Sequence, residues 1–140
     1  MRVYRKQLEF LCINKNRKME TTLLFDFQKL EVYKKAQKFH LECKTLLKNP
    51  KLERYVIDQL SRASYSVVLN IAEGSGRSST NDRRNFFTIS RASIFECVAI
   101  LDILKLENRI GNDHYEHSLR TSAELSKMLY VMIRNLKTIK

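Results

Sequence analysis

Three observations predict an all-α protein, an antiparallel up-down-up-down four-helix bundle. The 140-residue chain holds one proline and three glycines, too few breakers for anything but long helices and short turns. Those breakers fall at three places, Asn49-Pro50, Gly74 to Gly76 and Gly111. Between them apolar residues recur at alternating steps of three and four, which is one face of a helix.

The first helix is expected to begin between Phe27 and Leu30. Val32, Ala36, Phe39, Cys43 and Leu46 form its inner face, and Lys34, Lys35, Lys38 and Lys44 fall largely off it. Asn49-Pro50 ends it, because the residue before a proline is pushed away from helical geometry. The second helix runs from about Leu52 to Glu73, with an inner stripe of Ile57, Leu60, Ser64, Val67 and Ile71 flanked by Val56, Ala63 and Val68. Its small residues Ala63, Ser64 and Ser66 allow another helix to come close. Gly74 and Gly76 are expected to close it in left-handed conformations. Ser79 caps the third helix, with Asp82 three residues on as a weak capping box at the positive end of the helix dipole. Phe86, Phe87, Ser90, Ile94, Val98, Leu101 and Leu104 mark its buried side, and it should end near Arg109. The fourth starts at Asn112 or Asp113, and Tyr115, Leu119, Ser122, Ser126, Leu129, Ile133 and Leu136 give its inner seam. Residues 27–140 make one bundle domain, an ordinary single-domain length. Residues 1–26 are a basic N-terminal extension, either disordered or an over-long start, with a second methionine at Met19.

The net charge is +11. Arg2, Arg5, Lys6, Lys15, Arg17 and Lys18 stand against Glu9 alone in the first 18 residues, and the remainder is basic too. Such a surface attracts polyanions. Cys12, Cys43 and Cys97 are odd in number and far apart, so no disulfide framework follows and a reducing, cytoplasmic setting is expected. No stretch approaches a membrane span, and no membrane partner or small-molecule substrate is indicated.

No enzyme or cofactor signature emerges. Paired Glu-x-x-His motifs, which di-iron bundles require, are absent from the sequence. His40 with Cys43 and His114 with His117 are spaced i, i+3 and together would make a zinc set; solvation of polar residues in a first turn accounts for the second pair as well, and no metal is expected. Gly-Ser-Gly-Arg follows a helix, whereas phosphate-cradling loops follow a strand. Arg77 beside Ser75 and Ser78 could meet an anion at the start of helix three, but a plain interhelix turn explains the same residues.

The strongest functional signal is cationic. Arg83, Arg84 and Arg91 lie on helix three; Arg120, Lys127 and Arg134 repeat every seven residues on helix four, followed by Lys137. From Leu125 to Lys140 no acidic residue occurs. A solvated face and the preference for cations at a helix C-terminus are the bland account; a one-sided stripe for phosphate backbones is the sharper one. No base-reading motif accompanies it, so non-specific RNA or DNA contact is the expected form. Asp58, Arg62, Asn70, Glu73, Gly74 and Glu96 form a second group, read as a polar network at a helix–helix or subunit contact, since shielded polar groups must find partners. The apolar width of helices two and four predicts self-assembly.

Phe27-Gln-Lys-Leu-Glu-Val-Tyr-Lys-Lys-Ala36, Asp58-Gln59-Leu-Ser-Arg62-Ala63, Asn70-Ile-Ala-Glu-Gly74 with Gly76-Arg77, and Phe86-Phe87 with Ser93 and Glu96 together resemble the four-helix-bundle proteins first noticed as reading frames in 23S rRNA intervening sequences of bacteria. The resemblance spans residues 27–140 and is most specific at Asn-Ile-Ala-Glu-Gly. Two positions depart from it. Val68 stands where a proline is usual, which implies a straighter second helix, and Arg83 replaces an apolar residue. The resemblance implies a ring-like homo-oligomer, a pentamer, with no enzymatic activity. A related group, the accessory variability determinant proteins of diversity-generating retroelements, shares the bundle; those proteins are basic, bind nucleic acid and partner a reverse transcriptase. The alternative function is therefore a protein-interaction scaffold for a reverse transcriptase or ribosome-associated factor, a nucleic-acid-processing partner, without a direct nucleic-acid role.

Overall fold

A computed structural model describes residues 23–136. After a 3-10 turn at Asp26–Lys29, four helices follow: α1 (Glu31–Leu46), α2 (Arg54–Gly76), α3 (Thr80–Leu106) and α4 (Asn112–Asn135). No strand occurs among the described residues. Of residues 1–26, assigned above to an N-terminal extension, only 23–26 are described; Cys12, Met19 and Lys137 also lie outside the described residues.

Helix α2 packs most extensively on α3, α3 on α4, α1 on α2, and α1 closes the circuit on α4. Side chains fill the centre. Val32, Ala36, Phe39 and Cys43 from α1 meet Leu60, Val67 and Ile71 from α2, Phe87, Ile94 and Cys97 from α3, and Leu125 and Leu129 from α4. All are nearly or wholly buried. The faces of α1, α2 and α3 follow the sequence periodicity, except that Leu46, Ile57, Phe86 and Val98 are only half-buried and Cys97 and Ser93 take places in the seam. On α4 the inner stripe is Ser118, Ser122, Leu125 and Leu129. The expected seam residues Leu119, Ser126 and Ile133 are half-buried, with Ser126 bonded to Arg91 of α3. Four apolar or small residues at i, i+4, i+7 and i+11 satisfied both readings; packing against the neighbouring helices decided between them.

The turn between α2 and α3 requires a second correction. Neither Gly74 nor Gly76 is left-handed; α2 continues through both to Gly76. Gly74 is instead needed for space. A Cβ there would lie 2.8 Å from Phe87 Cε1 and 3.0 Å from Phe86 Cβ, whereas one on Gly76 would meet nothing within 4 Å. The missing side chain lets α3 seat its phenylalanine against the last turn of α2. Helix α3 then starts as expected, with the Asp82 amide donating to Ser79 Oγ at 3.4 Å.

The left-handed residue sits elsewhere. Helix α3 ends three residues before Arg109, at Leu106, and Asn108 adopts φ 56°. The Asn108 amide donates to the Lys105 carbonyl at 3.1 Å and the Arg109 amide to Leu104 at 2.8 Å, the paired bonds of a Schellman end. Asparagine tolerates this conformation far better than β-branched residues do. Asn108→Val is accordingly expected to lower the unfolding free energy by about 1–2 kcal/mol and Asn108→Gly to leave it within about 0.5 kcal/mol, read by urea denaturation. Gly111, with φ −72° and ψ 156°, is the N-cap residue of α4, so Asn112 and Asp113 lie inside its first turn.

Two connections are tied together. Arg109 donates to both Glu53 carboxylate oxygens and, at 3.1 Å, to the Lys51 carbonyl. Asn49 Nδ2 donates back to the Arg109 carbonyl at 3.2 Å. The guanidinium holds the Glu53 carboxyl below the usual carboxylate range.

Candidate nucleic-acid interface

The cationic residues of α3 and α4 do not form one uniform face. Arg120, Lys127 and Arg134 project outward from α4 and are exposed. Seven-residue spacing brings them to one line, because seven residues are almost two turns. Their neighbour Glu124 is paired with Lys35 of α1, and none of the three has an acidic partner among the described residues. Three uncompensated charges thus lie in water along the helix.

The three α3 arginines are half-buried, and Arg84 and Arg91 turn towards α4. Arg84 donates to the Leu136 carbonyl, filling an acceptor at the end of α4. Arg91 Nε donates to Ser126 Oγ at 3.1 Å, and its guanidinium carbon lies 4.9 Å from the centre of the Phe95 ring and 5.5 Å from that of Tyr130. Arg134 approaches the same tyrosine at 5.9 Å. Arg83 is half-buried with an unpartnered Nε. Arg77 pairs with Glu73 one turn earlier and covers the Phe86 ring at 4.7 Å, so it belongs to the α2–α3 corner and stands apart from the α4 line.

The polar group from the Asn-Ile-Ala-Glu-Gly region divides in two. Asn70 is held within α2: its amide donates to the Ser66 carbonyl at 2.8 Å and to Ser66 Oγ at 2.9 Å. The Ser66 and Ser93 hydroxyls meet at 2.9 Å across the helix pair. Lower on the same seam Gln59 donates to Glu96. Glu73, by contrast, points to solvent with Arg77. Asp58 and Arg62 are exposed and make no ion pair among the described residues.

The four residues considered for a zinc site do not converge. Cys43 lies in the core with Cys97; the neighbouring Cys43 thiol and burial hold the Cys97 thiol far above its ordinary range, in the inert form. His40 Nδ1 and Ser64 Oγ lie 2.9 Å apart, and His117 Nε2 lies 3.1 Å from Glu42. No three His, Cys, Asp or Glu side chains among the described residues are placed to hold a metal ion. No described helix is long and apolar enough to cross a membrane.

Burial, assisted by the Lys44 charge, holds the His40 pKa below its usual value. The unfolded chain therefore takes up a proton at a higher pH than the folded one. His40 supports the fold fully above about pH 6.5, and this support fades as pH falls through the lowered folded pKa. Thermal melts between pH 7.5 and 5 should show a shallower acid decline for His40→Gln than for the parent chain.

Phe95 and Tyr130 are the residues that charge-led reading of the sequence overlooked. Arg91 with Phe95 and Tyr130 with Arg134 are both i, i+4 pairs, a spacing that brings side chains together on a helix. That signal was present locally. The meeting of the two pairs across helices was not.

None of the curated proteins matches this chain. Among solved structures, the crystal structure of a protein of unknown function from the S23 ribosomal protein family of Bacteroides thetaiotaomicron is similar, with 27% sequence identity and a TM-score of 0.70 over 73% of this chain and 97% of that one. The sequence model of the 23S rRNA-intervening sequence proteins matches residues 28–131, from the 3-10 turn into the last third of α4. The chain belongs to the 23S rRNA-intervening sequence protein family.

Proposed function

We propose that the protein is a non-enzymatic, homo-oligomeric helical bundle that binds RNA or DNA without sequence selection through the exterior of α4. The observation that carries this reading is the line of Arg120, Lys127 and Arg134, exposed and without carboxylate partners among the described residues. Cations so placed exchange condensed counterions for contact with phosphate. The line offers no donor–acceptor pattern for base edges, so affinity without selectivity is its chemistry.

The bundle is proposed to run up-down-up-down. Short links and sequence-order packing support this, as does the bond of the 47–53 connection to the 107–111 connection through Asn49, Glu53 and Arg109, which belongs to one end of such a bundle. Arg84 at the start of α3 meeting Leu136 after α4 belongs to the other.

Self-assembly is supported by the outer face of α2 and α3. Tyr55 and Leu69 on α2, and Ile89, Ile103 and Leu106 on α3, are all exposed, Tyr55 to 71% and Leu106 to 83%. Ala92 and Ala99 continue the α3 line. Exposed apolar residues grouped on neighbouring helices mark a protein contact. A head-to-tail contact that closes on itself makes a ring, the pentamer implied by the family resemblance, and a ring would multiply the α4 lines available to one nucleic-acid chain.

Electrophoretic mobility shift with a salt titration tests the binding. Retardation of RNA and DNA irrespective of sequence, with log affinity falling linearly with log salt, is expected. No retardation of either at low salt overturns the reading. Light scattering tests assembly separately: a monomeric mass at high protein concentration would remove the oligomer, and Ile103→Asp should reduce the mass of a genuine one.

A further inference from the structure

We infer that the groove between α3 and α4 around Arg91 is a stacking site for single-stranded nucleic acid. This rests on the nucleic-acid reading above and narrows it to a strand type and a place. Arg91 is held from three sides, by Ser126 Oγ at 3.1 Å, by the Phe95 ring at 4.9 Å and by the Tyr130 ring at 5.5 Å. Its terminal nitrogens make no hydrogen bond or ion pair among the described residues, and they are not among the buried unpartnered atoms. They remain free to meet a phosphate while the side chain is already ordered, which reduces the entropy lost on binding.

The rings are the unusual part. Phe95 is 53% exposed and Tyr130 51%. A cross-link whose only task was to hold α3 to α4 would gain more by covering those rings. Exposed aromatic rings beside cations are the equipment of single-strand binders: bases stack on rings and on guanidinium planes, cations follow the backbone, and every base has a π-face, so the sequence matters little. Bases inside a duplex are already stacked and cannot use such a platform. Lys127, one turn before Tyr130, and Arg134, one turn after it, continue the phosphate path. The exposed apolar residues of the proposed assembly face, apart from Tyr55, are aliphatic; Phe95, one turn after Ala92 and one turn before Ala99, borders that face, so scattering mass is read beside binding for its variant.

The test is fluorescence anisotropy of the full chain with labelled oligo(U) and oligo(dT) of about 15 nucleotides and a mixed-sequence duplex of the same length. Phe95→Leu and Tyr130→Leu keep the bulk and remove the rings; Lys127→Gln is the charge comparison. Circular dichroism and scattering mass confirm that each variant keeps its fold and assembly. Single strands should bind at least about tenfold tighter than duplex at equal salt, and each ring variant should lose about five- to tenfold on single strands alone, with an unchanged salt slope. Lys127→Gln should weaken both forms and lower the slope by about one. Equal binding of strand and duplex, indifferent to both ring variants, overturns the stacking site and leaves phosphate binding standing. No binding of any nucleic acid overturns both. A Phe95→Leu protein with altered mass and unaltered binding assigns that ring to assembly and overturns its role here.

Discussion

Phe87→Ala should cost about 3–5 kcal/mol of unfolding free energy, because it removes a fully buried aromatic side chain and leaves a cavity. A small domain holds only about 5–15 kcal/mol in total, so a large part of the stability rests on this one ring. The cost should be coupled to Gly74. In the parent protein, Gly74→Ala forces a Cβ to within 2.8 Å of the ring. Overpacking of this kind costs about 1–3 kcal/mol, against which alanine's better helix propensity returns up to about 1 kcal/mol. A net loss of about 1–2 kcal/mol is expected. In a Phe87→Ala background the ring contacts are gone and only Phe86 Cβ, at 3.0 Å, still crowds the site, so Gly74→Ala should cost clearly less than in the parent protein. Gly76→Ala, inside the same helix but with open space around it, should stabilise by about 0.5–1 kcal/mol in either background. A double-mutant cycle by urea denaturation measures all of these. Additivity of Gly74→Ala and Phe87→Ala would show that the close approach of α2 and α3 does not explain the glycine.

Joint replacement of Arg120, Lys127 and Arg134 by glutamine is the functional change of largest expected effect. Each phosphate contact contributes about 0.9 to the slope of log affinity against log salt on duplex DNA, so three should remove about 2.7 from it. Between about 50 and 200 mM salt the parent protein should then lose about 40-fold more affinity than the variant. Stability should move little, since exposed side chains away from caps and buried pairs are usually within about 0.5 kcal/mol of neutral. The matched control is neutralisation of Lys38 and Lys44, which are exposed on α1. An equal fall in slope per charge on α1 would mean that net charge draws the nucleic acid and that α4 has no special part. Arg84 is a poor choice for the same experiment despite its place in the sequence pattern. Its side chain closes the end of α4 through the Leu136 carbonyl, so its loss would confound binding with folding.

Much of the fold was legible in the order of residues. Scarce breakers placed the three connections, and steps of three and four identified Val32, Ala36, Phe39 and Cys43 on α1 and Leu60, Ser64, Val67 and Ile71 on α2. Helix periodicity is a local property, and burial on one side of a helix writes it directly into the chain. The Ser79 cap was legible for the same reason, as its bond spans three residues. Gly74 shows where this ends. Its position near a helix end suggested left-handed backbone, but the need for glycine comes from Phe87, on the next helix. The true left-handed position is Asn108, where the local sequence offered glycine three places later, at Gly111, as a more obvious candidate.

The candidate site divides along the same line. Sequence alone determined the helices, most of their inner faces, the family and the heptad line of Arg120, Lys127 and Arg134, because each depends on spacing within one helix. Tertiary structure alone decided which cations remain free. It turned Arg84 and Arg91 against α4, joined Phe95 to Tyr130 around one guanidinium, and separated Asn70 on the α2–α3 seam from Glu73 in solvent. Those outcomes depend on the rotation of each helix about its own axis, which the contact with its neighbours sets and no single helix encodes.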